Sequence, residues 1–188
     1  MPEIFPYNPN WPASFQSIAS DLRQALGDLA LRIDHIGSTS VPGLAAKDRI
    51  DIQVTVNALT DELRTSLKGQ GYPQWRDLIL DHVPPGADPA DKEWEKWLFV
   101  IREDQYSANI HIRIQGRSNQ RYPLLFRDYL RIHSATAQAY AELKRRLAAN
   151  LADPQTYTDV KDPAVDLIYL AAEDWASITG WRPGPSDE

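Results

Sequence analysis

The fold of this chain is decided by residues 34–56, which read DHIGSTSVPGLAAKDRIDIQVTV. The stretch begins as the end of one strand, continues through a connection rich in hydroxyl groups, and finishes in a second strand over residues 50–56. That second strand alternates strictly between apolar and polar side chains, which is the period of a β-strand. Because side chains change face at every residue of a strand, Asp51 and Gln53 are predicted to share its polar face.

Residues 109–115 show the same alternation farther along the chain. Three isoleucines form the apolar face, and the other face carries a polar side chain at each odd position, including His111 and Arg113. Such a face can simply meet solvent in an antiparallel sheet. The presence of Asp, His and Arg on two such strands favours a functional site, since sites concentrate titratable groups. We therefore predict that Asp51 and His111 lie in one sheet and on the same concave face.

The remaining elements are predicted to surround these two strands. Amphipathic spacing, capping residues and prolines indicate five helices, which begin at Pro12, after the cap Thr60, at Tyr122, at Ser134 (to Leu151) and after Pro163. Two more strands are predicted over Leu29–Ile36 and Trp97–Arg102. A loop is predicted over residues 84–96 and a turn over Glu103–Ala108. The expected fold is one α/β (α+β) domain over residues 1–188. Its mixed sheet, flanked by helices, would occupy residues 12–116, and a helical part would occupy residues 120–180.

Composition narrows the classes of function. The 188 residues suit a single domain with a substantial core. Lys and Arg number 20 against 26 Asp and Glu, and the resulting net charge of −6 argues against an extended nucleic-acid-binding surface. The chain has no cysteine, which excludes disulfides and thiolate chemistry. No apolar run reaches the roughly 20 residues that span a bilayer. No signal peptide is visible either, so we expect a cytoplasmic protein without a membrane partner.

Six short phrases of the sequence together resemble one known family. They are HIGSTSVPGLAAK (35–47), IDI (50–52), IHI (110–112), LFRDYLR (125–131), LK (143–144) and YTDVK (157–161). The set is similar to the GrpB family, a branch of the nucleotidyltransferase superfamily whose domain is also found fused to dephospho-CoA kinase. The resemblance covers the chain from about Trp11 to Ala172. It implies a nucleotidyltransferase-type mixed sheet with a C-terminal helical segment.

The glycine and hydroxyl groups of the motif are predicted to cradle phosphate, as backbone N–H groups do in nests and at helix N-termini. These residues are Gly37, Ser38, Thr39 and Ser40. Without the resemblance they would indicate only a turn or a cap. Further candidates for binding phosphate or nucleotide are Lys47, Gln53, Arg113, Arg127 and Lys161, with Arg131 and Lys144 as weaker ones. The basic residues among them would equally suit structural ion pairs.

Asp51 and His111 are the candidate catalytic residues. Transferases of the superfamily hold divalent metal with two carboxylates on one strand and a third on a later strand, whereas this chain has Asp51, Gln53 and His111 at those positions. Two Mg²⁺ ions are therefore disfavoured, because Mg²⁺ prefers carboxylate and phosphate oxygens. Asp51 and His111 would instead hold one softer ion, Mn²⁺ or Zn²⁺. Alternatively, His111 would be a general base oriented by Asp51, with no metal.

The expected function is binding of a nucleotide or another small phosphorylated ligand, with nucleotidyl- or related transferase chemistry on a nucleoside triphosphate. The alternative is a non-catalytic ligand-binding or interaction module that keeps the fold without the full metal site, because a fold does not fix a function. A cleft in which Asp51, His111, Arg113, Arg127 and Lys161 converge would favour the enzyme.

Overall fold

The computed structural model describes residues 3–75, 79–102, 107–153 and 156–188. Within them the chain forms a five-stranded sheet with helices packed on it. The elements in chain order are α1 (Trp11–Leu26), β1 (Arg32–Ile36), β2 (Ile50–Val56), α2 (Asp61–Gly69), β3 (Gln74–Trp75), α3 (Asp91–Trp94), β4 (Trp97–Arg102), β5 (Ser107–Ile114), α4 (Ser118–Ile132), α5 (Ser134–Asn150) and α6 (Tyr157–Thr179). Most of the predicted turn over Glu103–Ala108, residues 103–106, lies outside the described residues.

The sheet has the order β1-β2-β5-β4-β3, with β2 and β5 parallel at its centre and the other neighbouring pairs antiparallel. In the parallel ladder Asp51 pairs with Asn109, and Gln53 pairs with His111. Residues opposite one another in neighbouring strands point to the same face. Asp51 and His111 therefore lie on one face of one sheet, which confirms the prediction from alternation. The predicted mixed sheet flanked by helices is confirmed as well.

The apolar face of the sheet is covered by α1 and α2. Phe15, Ile18 and Leu22 recur at helical spacing along α1, so they form a single stripe, and all three are buried against strand residues such as Ile52 and Ile110. Complete burial of a side chain of this size stabilises the fold by about 1.5–3 kcal/mol. A slip of one residue in strand register would turn the polar face into this core, so the packing fixes the orientation of the site.

The other face of the sheet is approached by α4, which packs against α5 and α6. These helices have a core of their own, made of aromatic and small residues such as Leu125, Tyr140 and Ala172. Gln53 Nε2 donates to the backbone carbonyl of Gln120 (2.9 Å), which ties the first turn of α4 to the sheet. The polar strand face is thus enclosed by helices rather than open to solvent, and a cavity remains between them.

Two element boundaries differ from the predicted ones for local reasons. β1 begins at Arg32, not at Leu29, because Gly27–Leu29 form a 3₁₀ turn after α1. The last helix begins at Tyr157 and contains Pro163, which the sequence had placed before it. Proline costs the helix one backbone hydrogen bond, and packing of α6 against α4 and α5 outweighs that local preference.

Two further elements begin where the sequence did not indicate them. α4 starts at Ser118, four residues before the predicted Tyr122, and the segment predicted as a loop over residues 84–96 contains the short α3. Trp94 at the end of α3 is buried, which explains why a segment of loop-like composition is held against the body of the protein. Among the residues that the structure describes, no helix combines the length and the apolar character needed to cross a bilayer.

Candidate functional site

The glycine–hydroxyl motif forms a tight turn directly against Asp51. Gly37 follows β1 with a φ of +70°, and Ser38–Ser40 form a single 3₁₀ turn. The hydroxyl of Ser40 donates to the carbonyl of Gly37 (2.6 Å), which closes the turn. A Cβ atom placed on Gly37 would lie 2.5 Å from Oδ2 of Asp51, so only glycine allows the backbone to approach this carboxylate so closely.

A cavity of about 540 Å³ separates the polar strand face and this turn from the helices. Its charge differs from that of the chain as a whole. Three aspartates line it: Asp51, Asp81 and Asp162. Six Lys or Arg side chains line it: Lys47, Arg49, Lys96, Arg113, Lys144 and Lys161. Basic side chains therefore outnumber carboxylates six to three in the wall of a protein whose net charge is −6, which suits an anionic ligand.

Asp51 is held at the centre of the cavity by neighbouring strand side chains. Its Oδ1 accepts a hydrogen bond from Asn109 Nδ2 (2.8 Å) and lies 3.7 Å from Nε2 of His111. Burial would raise the pKa of the Asp51 carboxyl, but His111, Asn109 and the charge of Lys161 together bring it below its usual value. Burial, reinforced by the charge of Arg113, lowers the pKa of His111 to about 4. At neutral pH the site therefore contains a carboxylate and a neutral imidazole.

Lys144 reaches the motif turn from α5. Its side chain is only 4% exposed, and Nζ donates to the hydroxyl of Ser38 (2.8 Å) and to the carbonyl of Ala45 (2.5 Å). Burial is the main cause that lowers the pKa of Lys144 to about 7, and the charge of Lys161 acts in the same direction. In its charged form Lys144 has one N–H donor beyond these two bonds, and Nζ also lies 4.6 Å from the centre of the Tyr140 ring.

A second group of polar side chains continues from His111 to the far end of the cavity. Arg113 donates to both carboxylate oxygens of Asp81 (2.8 and 2.9 Å) and to Oε1 of Gln53 (2.9 Å). Asp81 also accepts from Lys96 Nζ (2.5 Å) and from Asn119 Nδ2 (3.1 Å). Although burial favours the protonated acid, the charges of Arg113 and Lys96 hold the pKa of Asp81 well below its usual range.

The structure brings most of the predicted site residues to this one cavity. Those that line it are Gly37, Ser38, Thr39, Lys47, Asp51, His111, Arg113 and Lys161. Ser40 and Gln53 lie just behind the wall: Ser40 closes the motif turn, and Gln53 connects Arg113 to α4. Their placement gives them a role in shaping the site rather than in touching a ligand.

Arg131, a weaker candidate, does not line the cavity and donates to the carbonyl of Ser40 (3.0 and 3.1 Å). The stronger candidate that the structure places elsewhere is Arg127. It is 3% exposed and donates to the carbonyl of His35 (3.0 Å) and to the carboxylates of Asp128 (2.8 Å) and Asp187 (2.5 Å). Asp187 belongs to the C-terminal tail and also accepts from the backbone N–H of His35 (3.0 Å). Arg127 therefore fastens the tail to the outer edge of β1 and does not converge with the cavity cations.

Replacing Arg127 with Met is expected to destabilise the fold by about 1–3 kcal/mol, because the buried carbonyl of His35 loses its side-chain donor and two partly buried carboxylates lose their charged partner. Affinity for ATP should stay within about twofold, since ligand-facing side chains are untouched. Urea unfolding and titration calorimetry measure the two effects, with the exposed Arg146→Met on α5 as a charge-matched control. A large loss of affinity with unchanged stability would show that Arg127 does reach the ligand.

The sequence did not single out three polar residues at the far end of the cavity. Asp81 and Lys96 lie in segments of ambiguous or loop-like composition, and Asn119 lies in a helical turn that was not predicted. The backbone N–H of Lys96 donates to the carbonyl of Ile79 (2.8 Å), an isolated pairing without a strand period. No residue periodicity near Ile79 or Lys96 predicts this pairing, so the sequence alone does not indicate that these residues reach the cavity.

The ligands for a resident metal ion are too few in this site. Asp51 and His111 are adjacent, but both oxygens of Asp81 are already bound by Arg113, and Lys96 and Asn119 add further donors. In the described parts of the chain no three His, Cys, Asp or Glu side chains converge as metal ligands. A zinc ion generally takes at least three protein ligands, so Asp51 and His111 alone do not complete a zinc site. Mg²⁺ is commonly bound through one or two carboxylates together with substrate phosphates, so binding of a metal ion together with a phosphorylated ligand stays a prediction.

Comparison with known proteins places the chain among a defined set of relatives. The sequence model of the family described as GrpB protein matches residues 1–170. A dephospho-CoA kinase of Mycolicibacterium paratuberculosis is 38% identical over an alignment of 197 positions, which covers 96% of this chain and 48% of the kinase. The chain thus spans about half the length of the curated relatives of this kind that it matches.

Solved structures agree with the sequence comparison. The crystal structure of the conserved protein GrpB from Enterococcus faecalis has a TM-score of 0.74 and 29% sequence identity, covering 92% of this chain and 99% of that one. A cytoplasmic RNA terminal U-transferase has a TM-score of 0.49 and 12% identity, covering 78% of this chain and 43% of that one. The second likeness is too weak to inform function.

Proposed function

This chain belongs to the GrpB family, and from that membership and the charge of its cavity we propose that it binds a nucleotide or another phosphorylated ligand for transferase chemistry. The observation that carries the proposal is the reversal of charge: cations outnumber carboxylates in the cavity wall of an acidic protein. Phosphate groups are the ligands best matched to convergent lysines and a hydroxyl-rich turn.

The ligand phosphates would lie at the end of the cavity that contains Ser38. Lys144 donates to the Ser38 hydroxyl, and Lys47 and Lys161 line the same cavity. Their charges act with burial to lower the pKa of Lys144. Lys47 also lies over the ring of Tyr157 at 4.2 Å, which fixes its position. Mutual repulsion among these cations is relieved when a polyanion binds, so the cluster favours a ligand with more than one phosphate charge.

Asp51 occupies the position of a proton acceptor beside those phosphates. In the proposed transfer, a hydroxyl of the acceptor attacks phosphorus and forms a new P–O bond. The bond to the leaving phosphate breaks, and its electron pair leaves with that group. The hydroxyl proton moves to Asp51, while the cluster of lysines stabilises the charge that develops on the leaving phosphate.

A non-catalytic binding module is the second candidate, and the shortage of metal ligands favours it. Superfamily transferases rely on several carboxylates, whereas the described residues offer Asp51 with one imidazole and no third ligand. Both candidates predict binding of phosphate compounds. Release of pyrophosphate or phosphate from bound ATP in the presence of acceptor compounds separates them, because a module would bind without turnover.

ATP and inorganic pyrophosphate are expected to raise the melting temperature of the protein, since a ligand that binds the native state stabilises it, whereas uncharged adenosine should not. Ser38→Ala should weaken their binding by about 3-fold to 10-fold, the effect of losing one hydrogen bond. Ser20→Ala, on the exposed side of α1, serves as the control. If neither phosphate compound shifts the melting temperature at millimolar concentration, the proposed function is wrong.

A further inference from the structure

The orientation of His111 is set by two partners of opposite character. Its Nδ1 lies 3.4 Å from Nη2 of Arg113, and its Nε2 lies 3.7 Å from Oδ1 of Asp51. A guanidinium has only donors, so the nitrogen that faces it must present a lone pair. An ionised carboxylate has only acceptors, so the nitrogen that faces it must carry the hydrogen. The chemistry of the partners therefore selects the Nε2–H tautomer.

Arg113 cannot turn away from the imidazole without losing several partners. Its side chain is 5% exposed, donates to both oxygens of Asp81, and donates to Gln53. Asp81 is itself held by Lys96 and Asn119. All three guanidinium nitrogens are thus hydrogen-bonded, Nε and Nη2 to Asp81 and Nη1 to Gln53. A bidentate arginine–carboxylate pair has a defined geometry that lysine cannot reproduce.

We propose that the buried Arg113–Asp81 pair locks His111 as its Nε2–H tautomer, so that His111 faces Asp51 with an N–H at 3.7 Å and not with the lone pair of a general base or a metal ligand. The inference rests on the proposed function in one respect, namely that Asp51 is the group being positioned for the ligand. It reverses the assignment expected from the sequence, in which Asp51 orients a basic His111. Arg113 and Asp81 become positioning residues that act on Asp51 through His111.

The two oxygens of Asp51 fit this assignment. Oδ1 accepts from Asn109 and faces His111, whereas Oδ2 points to the Gly37 turn and has no donor among the described side chains. With the hydrogen on Nε2 and the lone pair of Nδ1 facing Arg113, the imidazole has no lone pair directed at a ligand. Oδ2 of Asp51 is then the carboxylate oxygen that can take a proton beside the phosphate end of the cavity.

Nitrogen NMR of the ligand-free protein tests the inference directly. The chain has four histidines, and the His111 signals are identified by their loss in His111→Gln. At neutral pH we expect a protonated Nε2 and an unprotonated Nδ1, with both signals unchanged when Zn²⁺ is added. A protonated Nδ1, a doubly protonated ring, or a shift of the His111 nitrogens with Zn²⁺ would overturn it. The tautomer is measured on the parent protein, and a folded His111→Gln is needed only to assign the His111 signals.

Variants then test the role of the pair. Arg113→Lys and Asp81→Asn are expected to give a mixture of tautomers, whereas Arg117→Lys, which disturbs only a surface pair with Glu95, should leave the His111 signals unchanged. Unchanged His111 signals in folded Arg113→Lys and Asp81→Asn would overturn the claim that this pair sets the tautomer. ATP binding by the parent protein tests the proposed function, whereas the NMR signals test the tautomer. Either result can fail while the other holds, so the two failures are distinguishable.

Discussion

Replacing Lys144 with Met is expected to lower the affinity for ATP by about 10-fold to 100-fold, which corresponds to the loss of one charge-assisted hydrogen bond. Lys144 is buried beneath the motif turn, where its ammonium joins the hydroxyl of Ser38 to the carbonyl of Ala45. Methionine fills a similar volume without a charge to bury, so the protein should remain folded. Titration calorimetry measures the affinity, and circular dichroism checks the fold.

The same residue makes ATP binding depend on pH. The pKa of free Lys144 is lowered to about 7, chiefly by burial, so near neutral pH the ammonium is only partly charged. A bound phosphate favours the charged form and raises this pKa, so binding takes up a proton. Affinity is therefore full below the free pKa and falls as the pH rises from roughly 7 to 9. The phosphates of ATP are already ionised over most of that range.

Arg146→Met, on the same helix but exposed, removes an equal charge and should change affinity less than about twofold. Proton uptake is measured by repeating the calorimetry in buffers with different ionisation enthalpies. It should vanish in Lys144→Met, together with the slope of affinity against pH. An equal slope in the parent and in Lys144→Met would show that another group, not Lys144, takes up the proton.

The central strands of the fold could be predicted because a period of two residues specifies both a strand and its faces. Alternation over residues 50–56 and 109–115 was sufficient to place Asp51 and His111 on one face, and the parallel ladder confirms it. The motif turn was equally accessible, since glycine, proline and hydroxyl residues have local conformational preferences. Both features are determined by residues that are close together in the chain, so a single sequence is sufficient to predict them.

The rest of the cavity depends on contacts between residues distant in the chain. Lys144 and Ser38 are 106 positions apart, and no local pattern states which turn of α5 meets the motif. Arg127 illustrates the opposite case: its phrase looked suited to phosphate, but its partner in the tail is 60 positions away. Asp81 pairs with Arg113 across 32 positions from a segment without a strand period. Charge and residue type alone cannot distinguish a ligand-facing cation from a structural one.

Replacing Gly37 with Ala is expected to destabilise the protein by about 2–6 kcal/mol, because backbone strain and a steric clash add together. Gly37 has a φ of +70° and a ψ of −172°, a region that is essentially restricted to glycine. The added Cβ would also lie 2.5 Å from Oδ2 and 3.0 Å from Cγ of Asp51. Asp51 would have to move, so ATP binding should be lost along with stability. Urea unfolding measures the change in stability.

Gly43→Ala is the matched control, because Gly43 has a φ of +79° in the same connection but no atom within 4 Å of an added Cβ. It should cost only the backbone strain, about 1–2 kcal/mol. Asp51→Ala removes Oδ2 and Cγ and keeps the Cβ atom at 2.9 Å from the added methyl group, so it relieves part of the clash. Gly37→Ala should therefore cost about 0.5–3 kcal/mol less in that background than in the parent. Equal destabilisation by Gly37→Ala and Gly43→Ala, with no coupling to Asp51, would show that the turn does not lie against this carboxylate. The phosphate cradle would then lose its geometric basis, because the turn and the proposed proton acceptor would no longer share one wall.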